Sequence, residues 1–270
     1  MGRRFKVSEH PRFQALLASP GPTRFPSNCE LPDPYDGLVD GLAEHLEVHD
    51  CMGCPLFIDD QPSAHSPVAE LIRRYPIKSK NVIAHIRKAT QGRIALENTH
   101  PFHRELWGRY WIFAHNGNLE HFAPPLGQYY RPVGDTDSEA AFCLLLEQLR
   151  QQFDQLPPLP VLTQAICALA AQIRQHGVFN FMLSNGDALF THCSTQLHYL
   201  VRQAPFSTAH LIDNDVNIDF AEVTTPNDRV AVIATLPLTD NEAWTAHPKD
   251  TVLVFHEGAP LAMPAAACQT

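Results

Sequence analysis

Between residues 81 and 263 the apolar residues of this chain change their period twice, from two to about 3.6 and back to two, and that order restricts the fold more than any other feature. Asn81 to Arg87 alternates, with Val82, Ala84 and Ile86 on one face and Ile83, His85 and Arg87 on the other, as a strand requires. Trp111 to His115 repeats the alternation, and Asn116-Gly117 ends it. Thr136-Asp137-Ser138-Glu139 then fits the S/T-x-x-E capping box opening a helix that carries Phe142, Leu145, Leu146 and Leu149. A second helix is expected from about Pro160 to His176, with Leu162, Ala165, Leu169 and Ile173 near helical spacing and Gly177 as its C-cap. Strand signals return at Val178 to Leu183, Ala188 to Cys193, Gln196 to Val201, Arg229 to Ala234, Thr251 to His256 and Pro260 to Met263. Asn185-Gly186 and Glu257-Gly258 read as hairpin turns between them. Strands, two helices, then more strands predict an α+β protein with segregated layers and much antiparallel sheet, rather than a doubly wound parallel sheet.

The first part of the chain has a different texture. From Met1 to about Met52 it is rich in Pro, Glu, Asp and His and shows little apolar period except near Leu38 to Leu46, so loops and one helix are expected there. Val68 to Tyr75 reads as a short amphipathic helix stopped by Pro76, because a residue before proline is pushed out of the helical region.

At 270 residues the chain is long enough to bury roughly three-quarters of the surface it exposes when unfolded. A hydrophobic content of 44% with only 18% charged residues excludes a disordered chain. A formal net charge of -9, with no run of Lys or Arg longer than two, argues against nucleic acid and anionic membranes as partners. Arg3 and Arg4 have no apolar stretch behind them, so no signal peptide is read, and Lys6 stands where myristoylation needs Ser or Thr. No apolar run reaches the roughly 18 residues of a membrane helix, and a cytoplasmic protein is the expectation. The sequence leaves the oligomeric state open.

Seven scattered cysteines do not form a disulfide framework, and Cys143 and Cys167 are expected to act as small reduced hydrophobes in helices. Cys51-Met52-Gly53-Cys54 after His49 lacks the second pair that a structural zinc site uses, and His100, His103, His115 and His121 show no H-E-x-x-H spacing. Neither a metal nor a cofactor is expected, and no glycine-rich phosphate-binding signature occurs.

Hydrolysis of a glutamine side-chain amide needs a nucleophile, a base, donors for the oxyanion and groups that hold the amino acid's charged end. Arg87 suits the α-carboxylate, since its planar fork binds bidentately, and Asp137, with Asp135 nearby, suits the α-ammonium. Asn116 through its amide and Gly117 through its backbone N–H suit the oxyanion. Each has a plainer use: Arg87 as a surface ion-pair partner worth under about 1 kcal/mol, Asn116-Gly117 as a type I′ turn, and Asp137 as a charge matched to a helix dipole.

Longer stretches join these residues. Val82-Ile83-Ala84-His85-Ile86-Arg87, Leu96-Glu97-Asn98-Thr99-His100-Pro101-Phe102, Phe113-Ala114-His115-Asn116-Gly117, Gly134-Asp135-Thr136-Asp137-Ser138-Glu139 and Gly177-Val178-Phe179-Asn180 resemble the class II, Ntn-type glutamine amidotransferases. Within that family they look like its free-standing YafJ-like subgroup, over roughly Gly53 to Trp244. The resemblance implies one domain over 1–270 with 1–52 atypical, folded as an Ntn-type αββα four-layer sandwich. It implies a site in which Asn116 and Gly117 are catalytic and Arg87 and Asp137 bind a glutamine or γ-glutamyl compound. It also implies an N-terminal cysteine as nucleophile, with its own α-amine as base, at a reference pKa of about 7.7–8.0.

This chain begins Met1-Gly2-Arg3-Arg4, and position 2 has no thiol. The nearest echo of the family's early Asp-Gly-Trp-Gly segment is Asp36-Gly37-Leu38-Val39. Three origins fit: a shifted frame or start over the first 52 or so residues, a protein that binds γ-glutamyl ligands without turning them over, or proteolysis that exposes Cys29, Cys51 or Cys54.

Overall fold

The computed structural model describes residues 12–18 (as backbone alone), 56–58, 66–68, 71, 80–86, 95–212, 216–222 and 224–262. Strands β1 (Arg12–Ala18), β2 (Asn81–Ile86), β3 (Phe102–Leu106) and β4 (Arg109–Leu119) precede helices α1 (Asp137–Gln152) and α2 (Leu159–Arg174). After them come β5 (Gly177–Ser184), β6 (Leu189–Cys193), β7 (His198–Gln203), β8 (Thr208–Leu211), β9 (Val216–Asp219), β10 (Arg229–Ala234), β11 (Thr245–Ala246), β12 (Thr251–His256) and β13 (Ala259–Pro260). One sheet runs β11-β7-β10-β1-β2 and a second β13-β12-β6-β5-β4-β3, while β8 and β9 form a separate hairpin. Every pairing within the three sheets is antiparallel.

Alternation along the strands builds the layers. Trp111, Phe113, Phe179, Phe181, Leu183 and Phe190 point from the six-stranded sheet to α1 and α2, meeting Phe142, Leu145, Leu146, Leu149, Ile166 and Ile173 in the larger core. The rings of Phe113 and Phe142 stack with centroids 5.1 Å apart. From the opposite face Ala114, Met182, Leu189 and Cys193 meet Ala231 and Ile233 of the five-stranded sheet. The outer face of that second sheet carries Leu200, Val230 and Val232 under Leu238 and Trp244. This is the α+β sandwich expected, with the described residues supplying helix, sheet and sheet in sequence. No helix among them is long and apolar enough to cross a membrane.

Helix α1 starts where the capping signature puts it, but only half of the box forms. Thr136 Oγ1 accepts from Glu139 N at 3.2 Å. The buried Glu139 carboxylate turns instead to Val133 N at 3.0 Å, Gly134 N at 2.8 Å and the Arg104 guanidinium, tying down the loop before the helix. Gly177, expected as the C-cap of α2, is the first residue of β5, with a φ of 151° that favours glycine. The stretch expected as loops contains β1, whose pairing comes from β10 and β2, more than 60 residues away, rather than from a local pattern. The helix anticipated near Leu38 to Leu46 lies outside the described residues, as does most of Val68 to Tyr75.

Cys167 is disulfide-bonded rather than reduced. Cys143 is free and buried in α1, where burial pushes its thiol up to about 11 and leaves it inert. The pair Cys51 and Cys54 lies outside the described residues.

Candidate active site

Asn116-Gly117 does not turn the chain. β4 continues through it, with Asn116 opposite Asn180, Gly117 opposite Phe179 and Leu119 opposite Gly177. Gly117 is required for close approach rather than for an unusual dihedral: a Cβ there would overlap the Val178 carbonyl and stand 2.6 Å from His115 Nε2.

The two faces of β4 deliver different groups. Asn116 follows the parity of Ala114 into the space between the sheets, where its Nδ2 donates to Thr235 Oγ1 at 3.3 Å, just past the end of β10. Asn180 Nδ2 donates to the Asn116 carbonyl at 2.9 Å and to Thr195 Oγ1 at 2.8 Å, and Asn180 Oδ1 accepts from Ser194 N and Thr195 N. The buried Asn180 amide is therefore satisfied on all sides, as a buried polar group must be.

That carbonyl fixes the direction of the next N–H. The 116–117 peptide is trans, so with the Asn116 carbonyl turned toward β5 the Gly117 N–H points the opposite way. β3 pairs with β4 only as far as Phe102 opposite Phe113, so among the described residues no strand covers β4 on that side beyond Phe113. Leu119 N–H, two residues on, shares the edge and donates to Asp137 Oδ2 at 2.7 Å. The Gly117 donor and the Asp137 carboxylate thus lie along one strand edge, separated by two residues or about 7 Å.

Asp137 is held from both sides, because Oδ1 also accepts from Ser138 N at 2.8 Å and lies 3.3 Å from Ser138 Oγ. Asp135 is held separately by the buried Asn98, which donates to its carboxylate at 2.7 Å and accepts from its N–H at 3.0 Å. Behind the edge, His115 lies buried with Nε2 3.0 Å from the Val178 carbonyl and Nδ1 2.9 Å from Ser138 Oγ. Burial holds its imidazole below the ordinary histidine range, although the Asp137 charge pulls the other way.

Arg87 directly follows Ile86, the last residue of β2, and it lies outside the described residues, as does Gly2. The start of β1 converges on the same place, since Arg12 pairs with Ile86 and Gln14 pairs with Ala234, the residue before Thr235. Asn116 and Gly117 lie in the last part of β4, and Asp137, at the start of α1, is tied to the same strand through Leu119 N. Asn180, His115 and Ser138 surround them from within the quoted stretches, whereas Thr235 carries no sequence signal.

Comparison with known proteins gives two kinds of match. The family described as class-II glutamine amidotransferases matches residues 47–269. The putative glutamine amidotransferase YafJ of Escherichia coli is 54% identical over 219 residues, covering 78% of this chain and 86% of that protein. The crystal structure of a predicted glutamine amidotransferase from Pseudomonas aeruginosa superposes with a TM-score of 0.70 at 39% identity, covering 97% of this chain and 91% of that one. A stretch of 61 residues, 23% of this chain, is 51% identical to part of the anaerobic nitric oxide reductase transcription regulator NorR of Vibrio vulnificus, 12% of that protein.

Proposed function

Since the chain belongs to the class-II glutamine amidotransferases, we propose that it binds glutamine or a γ-glutamyl compound, and hydrolyses the side-chain amide to glutamate and ammonia when a nucleophile is available. In this reading Arg87 holds the α-carboxylate, Asp137 the α-ammonium, and Asn116 Nδ2 with the Gly117 N–H the amide oxygen. A nucleophile at the amide carbon drives charge onto that oxygen, ammonia leaves with a proton, and water releases glutamate from the enzyme; two donors on the oxygen stabilise the tetrahedral stage. The observation that carries the reading is the shared edge of β4, with a carboxylate at one end and a free-facing backbone donor at the other. Calorimetric titration with L-glutamine, alongside assay of released glutamate, tests it. Binding that collapses in Arg87→Ala and Asp137→Ala is expected, and wild-type protein that does not bind glutamine would sink the reading.

A second reading, binding without turnover, draws on a specific observation. Neither Gly2 nor the residues at the start of β1, Arg12 and Phe13, carry a thiol or hydroxyl. It predicts glutamine-dependent thermal stabilisation with no glutamate released, following the mass-action shift of any ligand that binds only the native state. Gly2→Cys separates the two, because new glutamate release would show a pocket that lacked only its nucleophile.

The chain is proposed to act as one domain, in the cytoplasm, on a small molecule.

A further inference from the structure

We propose that His115 is a positioning residue that fixes the spacing between the Gly117 edge and the Asp137 carboxylate, an inference that rests on the glutamine reading above. Its ring joins three elements at one point. Val178, whose carbonyl it meets at 3.0 Å, belongs to β5, and Ser138, whose hydroxyl it meets at 2.9 Å, sits in the first turn of α1 beside Asp137. The ring itself is carried by β4, one residue before Asn116.

The hydrogen-bond roles follow from the partners. The Val178 carbonyl can only accept, so Nε2 carries the proton and Nδ1 is left to accept from the Ser138 hydroxyl. A ring protonated on both nitrogens would lose that acceptor and turn the Ser138 hydroxyl toward Asp137 Oδ1, 3.3 Å away. The neutral ring therefore leaves Asp137 less encumbered on the side that faces a ligand ammonium. Burial favours the neutral form in the same direction.

Gly117 completes the device. Its missing side chain is the space that the imidazole edge and the Val178 carbonyl occupy, so the residue that offers an N–H to the ligand also lets His115 reach across to β5. Leu119 closes the loop, because its N–H ties the same strand to Asp137. Strand, helix start and ring form a closed triangle, and a change at its His115 corner shifts one end of the ligand site relative to the other.

A ligand touching both ends reads that spacing, whereas a ligand touching one end does not. The test uses full-length wild type, His115→Phe and Ser138→Ala, titrated with L-glutamine and with 4-carbamoylbutanoate, which is glutamine without its α-amino group. Wild type is expected to prefer glutamine by about tenfold, from its charge-assisted contact with Asp137. Both variants are expected to lose most of that preference while keeping their affinity for 4-carbamoylbutanoate. A general loss of folded protein would lower both affinities together and leave the ratio unchanged, and an unchanged ratio in folded variants overturns the proposal. Ser138→Ala, which removes one hydroxyl, carries the test if His115→Phe fails to fold. Failure of wild type to bind either compound overturns the glutamine reading itself, and this inference with it.

Discussion

The two faces of β4 solve opposite problems within five residues. Toward the helices, Phe113 and His115 are buried, and at Gly117, itself exposed, the Val178 carbonyl and the His115 ring leave no room for a side chain. Toward the other sheet, Asn116 is only partly buried and its amide is held by one 3.3 Å contact, which leaves donor capacity for a ligand. A rigid face behind a lightly held one is how a strand presents a polar group in fixed geometry at little ordering cost. The difference teaches where mutations should cost stability and where they should cost only binding.

The largest effect should come from filling the closed face. Gly117→Ala is expected to lose about 3 kcal/mol or more, at the top of the range for overpacking, because the obstacle is the Val178 backbone. Chemical denaturation measures this, and a loss under about 1 kcal/mol would show that the face is not closed.

Acid should attack the same face. His192, stacked on Phe181 at 5.5 Å, is pushed by burial down to about 4 from the ordinary 6.5. Between those values the unfolded chain holds more protons than the folded one, so stability falls as pH drops from about 6.5 to about 4 and is unaffected by this group above that window. The loss reaches up to about 3 kcal/mol. Denaturation midpoints in His192→Gln that show the same pH slope as wild type would remove His192 as the cause.

At the junction of the faces, Asp137→Ala strands the Leu119 and Ser138 N–H groups and should cost about 2 kcal/mol. Asp137→Asn keeps an acceptor oxygen and should cost less, yet still weaken glutamine binding through the proposed ammonium contact. Comparing both variants by denaturation and by glutamine titration separates the structural duty of this carboxylate from its proposed ligand duty.

The smallest change in stability belongs to the open face. Asn116→Ala should cost no more than about 1 kcal/mol while weakening glutamine binding about tenfold. A larger stability loss would erase the contrast between the faces.

Sequence pattern located the elements whose partners lie nearby in period or chemistry. β10 and β12 match the expected strands at both ends, and Thr136 marks the start of α1. Asn116-Gly117 was misread because turn preference describes glycine with a free dihedral, whereas here the deciding atom is a carbonyl 61 residues away in β5. β1 was invisible for the same reason, since its partners are tertiary. Asn116, Gly117 and Asp137 are candidates through family resemblance, whereas Thr235 and Asn180 are distant in sequence and fall beside Asn116 only once the sheets form.

That Asn116-Gly117 lies inside a strand and not at a turn has a kinetic consequence. A turn opens by local fluctuation, but a strand paired to its neighbour through Leu119 releases its amides only when the sheet comes apart. Amide hydrogens of this stretch that face β5 should therefore exchange with solvent at the rate of the slowest class in the protein. The β4 part of the proposed site is formed before a ligand arrives, and association requires no waiting for a rarer conformation of that strand.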